Sequence, residues 1–244
     1  MIKFSRVSVF FHQFNFLNAV RFLLSEFFRK VLDRYNIASY SQTGEDRVIQ
    51  AILGNEAGFY VDVGCNHPQK CSNTFELYKR GWKGLNIDAN SELIDKQKNL
   101  RVSDIAVCAA ISDKEQEVVF TEFVDPFVSS LSPDHVKEWK QHRPIKGEKL
   151  VRTVTLTAVL NEFGTPPRLD LLCIDVEGHD YEVLTSLDMT LYRPRLIVIE
   201  MHGFDLNSLS ENKIYNLLIY KGYRMIGFVI MNGYFVDTLM PVAE

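Results

Sequence analysis

Two rhythms of apolar and polar positions run along this chain. From residue 59 onward, short and almost wholly apolar runs recur, each followed by a stretch with helical spacing of its apolar positions. The runs predict strands over residues 59–63, 85–88, 102–108, 117–122, 169–175 and 196–200. The spaced stretches predict helices over 74–79, 92–98, 180–187 and 211–221. Ser72 or Asn73 can cap the first helix, and Gly81 and Gly222 stop the first and the last. Residues 223–228 and 234–237 read as a closing hairpin. Residues 123–150 hold Pro126, Pro133, Pro144 and Gly147 and read as an irregular insert with a short helix at 135–140. Long loops in compact domains are often functional. Apolar strands alternating with helices predict an α/β domain, a mostly parallel sheet with helices on both faces.

The first 34 residues follow a different pattern. They carry eight phenylalanines, and Lys3, Arg6, Arg21, Arg29, Lys30 and Arg34 outweigh Glu26 and Asp33. Phe10, Phe14, Leu17, Leu24, Phe28 and Val31 approximate one helical stripe. Residues 1–38 are therefore expected to be a helical extension, and 39–244 the main domain. The run from Val7 to Val20 falls short of the roughly 20 apolar residues a membrane span requires. It also lacks the small-residue cleavage site of a signal peptide. Two seats suit the stripe. One is protein, either the main domain or a second copy in a homodimer. The other is peripheral contact of residues 1–34 with an anionic membrane surface.

Charge and cysteine usage narrow the class. The net charge is −4, and no basic run interleaves with aromatics, so nucleic acid is not an expected partner. Cys65, Cys71, Cys108 and Cys173 mostly fall in or beside expected buried strands and form no disulfide framework. A reducing cytoplasm is the expected home, with any surface contact at the inner face of the membrane. Cys65, His67 and Cys71 lack a fourth ligand at zinc spacing, so no metal is assigned to them.

The chemistry gathers at strand ends. FYVDVGCNH runs into Asp62 and Gly64, and NIDAN closes the next strand with Asp88. An acid roughly 20 residues after a glycine turn is placed to take the two hydroxyls of a ribose. Two of the three glycines of the dinucleotide fingerprint are absent, so a pyrophosphate has no cradle. A ribose ligand without phosphates fits better, and S-adenosylmethionine is the common one. LCIDVEGHDYEVL then places Asp175 and Glu177 at a strand-to-helix turn, and IEMH ends a further strand with Glu200 and His202. Each has a structural alternative: a helix cap for Asp175 or Glu177, and a satisfied pair for Glu200 and His202. Asp180 reads as a first-turn acid of its helix.

Together SQTGED, FYVDVGCNHP, NIDAN, AISD, IDVEGHDYEVL and IEMH resemble the FkbM family of S-adenosylmethionine-dependent methyltransferases, over about residues 41–237. The likeness implies the Rossmann-like, seven-stranded class I methyltransferase fold with a terminal hairpin. It implies that Gln42 and Glu45 close over the cofactor, and that Asp62 and Gly64 meet its methionine part. Asp88 would hold the ribose, and Ala89 and Ala110, from NIDAN and AISD, would join the cofactor contacts. Asp175, Glu177, Glu200 and His202 would face the acceptor. Cys108 stands where many members carry asparagine, and His179-Asp180 where a small residue and glutamate are more usual. The family mostly methylates oxygen, often on sugars of glycans or glycosylated metabolites. Asp175 and His202 are then the candidate bases, with Glu177 or Glu200 orienting the base or the sugar. A divalent cation on Asp175 and Glu200 is the alternative device. An N-, lipid or protein methyltransferase, or a silent nucleoside-binding scaffold in glycan assembly, is the competing expectation.

Overall fold

β1 (Phe59–Val63) and β7 (Arg168–Ile174) pair in parallel near the middle of a seven-stranded sheet. β2 (Lys83–Asp88) and β3 (Ile105–Cys108) extend it on one side. β8 (Arg193–Glu200) follows on the other, and then the hairpin of β9 (Tyr223–Val229) and β10 (Asn232–Asp237). The order is β3-β2-β1-β7-β8-β10-β9, with β10 antiparallel to its neighbours. A computed structural model describes residues 12–32 and 39–239.

The two-residue period of the strands explains the layers. Val61, Val63, Leu172, Ile174, Ile197 and Ile199 face one core, covered by α6 (Leu156–Glu162), α7 (Asp180–Thr185) and α8 (Lys213–Tyr220). Tyr60, Leu171, Cys173, Leu196 and Val198 face the other, covered by α2 (Glu45–Leu53) and α3 (Phe75–Lys79). Both faces are apolar because both are covered. α4 (Ser91–Leu100) links β2 to β3 and is capped by Asn90, whose side chain accepts from Glu92 N. Ser72 Oγ accepts from Phe75 N at 3.2 Å, as its place before α3 implied.

Three expectations need correction. The third strand begins at Ile105, because residues 101–104 form a turn that buries Arg101 and leaves Val102 exposed. The insert is more regular than its prolines and glycine indicate. It holds a short 3-10 turn (Pro126–Val128) and α5 (Pro133–Trp139), and it runs into a ten-residue strand, β6 (Ile145–Val154). β6 pairs with β5 (Glu117–Phe123) and with β4 (Ala110–Ile111), forming a three-stranded arm. Finally, Cys71 and Cys108 are exposed, and only Cys65 and Cys173 are buried.

α1 (Phe16–Leu32) packs on the main domain, and of the expected stripe Phe14, just before the helix, takes part. Phe14, Ala19 and Phe22 bury against Phe75 and Tyr78. Gln13 Nε2 donates to the carbonyls of Tyr78 and Trp82, at 3.1 and 2.9 Å. Leu17, Leu24 and Phe28 of the expected stripe face outward, as do Phe16 and Phe27. Phe10, Lys3, Arg6 and Arg34, and the side chains of Arg29, Lys30 and Val31, lie outside the described residues.

Candidate active site

Strand register brings the acids together. Val63 lies opposite both Ile87 and Ile174, and Ile174 opposite Ile199. Each strand then ends at the same edge, where Asp88, Asp175 and Glu200 emerge. This is the edge at which open α/β sheets bind ligands. A cavity of about 490 Å³ opens there.

Gly64 sits where β1 turns, at φ +81°, a left-handed conformation that glycine adopts without cost. A Cβ built there would overlap the carbonyl oxygen of Asp175. The glycine therefore lets β1 and β7 end side by side, and the cavity wall passes directly from one to the other. Asp175 N donates to Val63 O at 3.0 Å across the same junction.

On the β2 side, Asp88 is fixed by two backbone donors, Asn66 N at 2.9 Å and Asn90 N at 2.8 Å. Burial pushes its carboxyl up to about 6, against those two bonds. Each oxygen keeps lone-pair capacity toward the cavity. Asn66 Oδ1 is buried at this wall without a hydrogen-bond partner. Ala89 and Ala110 line the same cavity, and Gln42 stands exposed beside it. Glu45 is buried one step back. It accepts from Thr43 N at 2.9 Å and from Asn232 Nδ2 at 3.2 Å, so it fastens the loop carrying Gln42 to β10. Asp62 is buried beneath the turn, accepts from Thr74 Oγ1 at 2.6 Å, and has a carboxyl raised by burial.

On the β7–β8 side, Asp175, Glu177, Glu200 and His202 line the cavity. Burial and the neighbouring Glu200 and Glu177 carboxylates hold the Asp175 carboxyl well above its ordinary range. Burial and Glu200 push Glu177 up to about 8. Glu200 Oε2 lies 2.8 Å from His202 Nε2, which lifts the imidazole to about 9. Glu177 itself is held in the left-handed region, at φ +56°, with Ser130 Oγ donating to its carbonyl at 2.7 Å. Such strain in a non-glycine residue is characteristic of functional sites. Asp180 accepts from Val176 N and Gly178 N, at 3.0 and 3.1 Å, and fixes the turn into α7, as expected of a first-turn acid.

Two residues escaped sequence reasoning. His135 enters from α5 in the insert, with Nε2 3.5 Å from Glu177 Oε2 and its ring 5.7 Å from that of His202. Nothing in the sequence ties it to motifs some 40 residues away. Arg101 is only 1% exposed. Its guanidinium donates to Pro68 O, Ser72 Oγ, Thr74 Oγ1, Tyr60 OH and Asn86 Oδ1, and so braces the loop between β1 and α3. His67 has a local role, since Nδ1 accepts from Gln69 N and Lys70 N at 3.1 Å.

This strand order, with a ribose-type acid after β2 and a glycine turn after β1, defines a class I methyltransferase. The family model described as Methyltransferase FkbM domain matches residues 62–225, and the chain belongs to that family. It is an S-adenosylmethionine-dependent methyltransferase. Among solved structures the chain is similar to a TehB-like SAM-dependent methyltransferase from Corynebacterium glutamicum. That likeness has 15% identity and a TM-score of 0.45, over 88% of this chain and 96% of that one. A Precorrin-6y C5,15-methyltransferase from Geobacter metallireducens is similar at 12% identity and a TM-score of 0.36, over 78% and 85%. No curated protein matches the chain. The residues present fit the cofactor. Asp88 offers a fixed, half-buried carboxylate to a diol, and the partnerless Asn66 Oδ1 offers a further acceptor in the same wall.

Proposed function

We propose that the acceptor is a sugar hydroxyl of a glycan or glycosylated metabolite, and that the chain methylates oxygen. The observation that carries this reading is one continuous cavity with two chemically different ends. The Asp88 end suits the cofactor, and the Asp175–Glu177–Glu200–His202 end suits a polyol. Trp139 and Arg143, from the insert, wall the second end. They offer an apolar aromatic face and a hydrogen-bond fork, as a sugar ring with its hydroxyls requires.

The cofactor supplies an electrophilic methyl group on a sulfonium. The chain's part is to position the acceptor in line and to remove its proton. Asp175 occupies the junction of the two ends, with its carbonyl against Gly64 and its carboxylate beside Glu177 and Glu200. It takes the hydroxyl proton in this reading, within ordinary hydrogen-bond reach. Glu177 and His202 hold neighbouring hydroxyls, and Glu200 holds His202.

Calorimetry with S-adenosylmethionine, followed by turnover on a panel of sugar acceptors, tests the reading. Asp175→Asn is expected to keep cofactor affinity and to lose turnover by about 10²-fold or more. Methylation of amines, lipids or protein in preference to sugars would replace the acceptor class. Cofactor binding without turnover on any acceptor would leave a silent nucleoside-binding scaffold.

We also propose that α1 meets the inner surface of an anionic membrane. Phe16, Leu17, Leu24, Phe27 and Phe28 are each more than half exposed on a helix whose other face is already packed. Among the described residues no helix is long and apolar enough to cross a membrane, so the contact is peripheral.

A further inference from the structure

We infer that His135, Glu177, Glu200 and His202 form a divalent metal site of the imidazole–carboxylate type, open to the cavity. Three separate segments deliver the ligands: α5 brings His135, the turn before α7 brings Glu177, and the end of β8 with the two residues after it brings Glu200 and His202. One ligand atom each from His135, Glu177 and His202 lies within 4.8 Å of the others. The same holds for Asp175, Glu177 and Glu200, and for Asp180, Glu200 and His202. Glu177, Glu200 and His202 each belong to two of these overlapping sets. Ligands about 2.1 Å from one ion stand roughly 3–4 Å apart, and two pairs of this cluster, His135–Glu177 at 3.5 Å and Glu200–His202 at 2.8 Å, lie close to that.

The cluster is more than a gathering of acids. His135 and Glu200 are each only 7% exposed, yet His135 Nε2 and Glu200 Oε2 have no hydrogen-bond partner among the described residues. Buried polar atoms without partners are rare and point to a missing ion or water. The contact of Glu200 Oε2 with His202 Nε2 meets the distance of a hydrogen bond but is not aligned as one. An ion would replace this ion-pair contact and engage both atoms at once. His135 Nε2 and Glu177 Oε2, at 3.5 Å, are likewise close but unbonded.

Two imidazoles with two carboxylates select Mn²⁺, Fe²⁺, Co²⁺ or Zn²⁺ over Mg²⁺, which prefers oxygen alone. The ion would serve as a Lewis acid on the acceptor hydroxyl, while Asp175 stays free to take the proton. That role rests on the proposed acceptor reading, but the site itself does not.

The test therefore measures binding without cofactor or acceptor. The full chain is treated with chelator, desalted, and titrated with Mn²⁺, with free Mn²⁺ read by electron paramagnetic resonance. Co²⁺ is titrated separately and followed by its visible spectrum. One equivalent of Mn²⁺ is expected to bind. Co²⁺ is expected to give the absorption of a mixed nitrogen–oxygen site. His135→Ala and Glu177→Gln, each confirmed folded by circular dichroism, should each weaken binding by at least about 10-fold. Absence of both Mn²⁺ and Co²⁺ binding at millimolar concentration by the folded wild-type chain overturns the site. Binding that neither variant changes overturns this ligand set. A bound metal with no methyl transfer to sugars would instead count against the acceptor reading.

Discussion

At the scale of single residues, Asp88 as the proposed ribose acid would turn pH into affinity. Its carboxyl sits near 6 in the free protein because burial outweighs its two backbone donors. Two ribose hydroxyls would donate to the ionised form, so binding lowers this value. Cofactor affinity should therefore be flat above about pH 6 and fall below it, by up to about tenfold per unit. Asp88→Ala should remove that slope and cost about 1.5–3 kcal/mol of binding. Calorimetry between pH 5 and pH 8 (a range chosen about the shifted carboxyl) reads both effects, and an unchanged slope in the variant would take Asp88 out of the ribose site. Glu177 makes a different bargain between stability and activity. Its left-handed backbone costs a non-glycine residue roughly 1 kcal/mol. Glu177→Gly should keep or raise stability to urea by up to that amount while turnover collapses. A variant less stable than the parent would show that the side chain's contacts outweigh the strain.

At the scale of elements, α1 presents two apolar faces with different tasks. Phe14, Ala19 and Phe22 close a small core with Phe75 and Tyr78, so deleting the helix would bare that core. Substitution of the outer face is the cleaner probe. The double variant Phe27→Glu, Phe28→Glu should stay folded and lose flotation with anionic vesicles at low salt. Equal flotation of parent and variant, or none by either, would end the membrane account. The stripe read from sequence mixed the two faces, joining buried Phe14 to exposed Leu17, Leu24 and Phe28, because spacing alone does not say which face meets protein. Other elements were legible for physical reasons. Strands 59–63 and 196–200 are apolar on both faces up to the acids near their ends, Asp62 and Glu200, and only a doubly covered sheet accepts that. β6 was not legible, since Lys146, Glu148, Lys149 and Arg152 are exposed on an arm with solvent beside it. It lacks the alternation that marks a half-buried strand. α2 and α6 were missed as well, being short segments next to stronger signals. At the site, the acids at strand ends were visible because each closes an apolar run. His135 was not, because its partners meet it only through tertiary folding.

At the scale of the whole molecule, the sheet and the arm divide the labour. β1, β2 and the loop braced by Arg101 set the end of the cavity proposed for the cofactor. β7 and β8 bring the acids, and the segment between β4 and the end of β6 supplies the facing wall. That segment contributes no residue from 113 to 153 to either main core. Its own stability comes from the β5–β6 pairing and its attachment through β4. The wall against which an acceptor would lie thus stands largely apart from the two main cores, held to them through β4 and through the bonds of Asn66 to Pro126 and of Ser130 to Glu177. Variation in acceptor would then be expected to gather in this segment, while the strands that carry the cofactor end stay as they are.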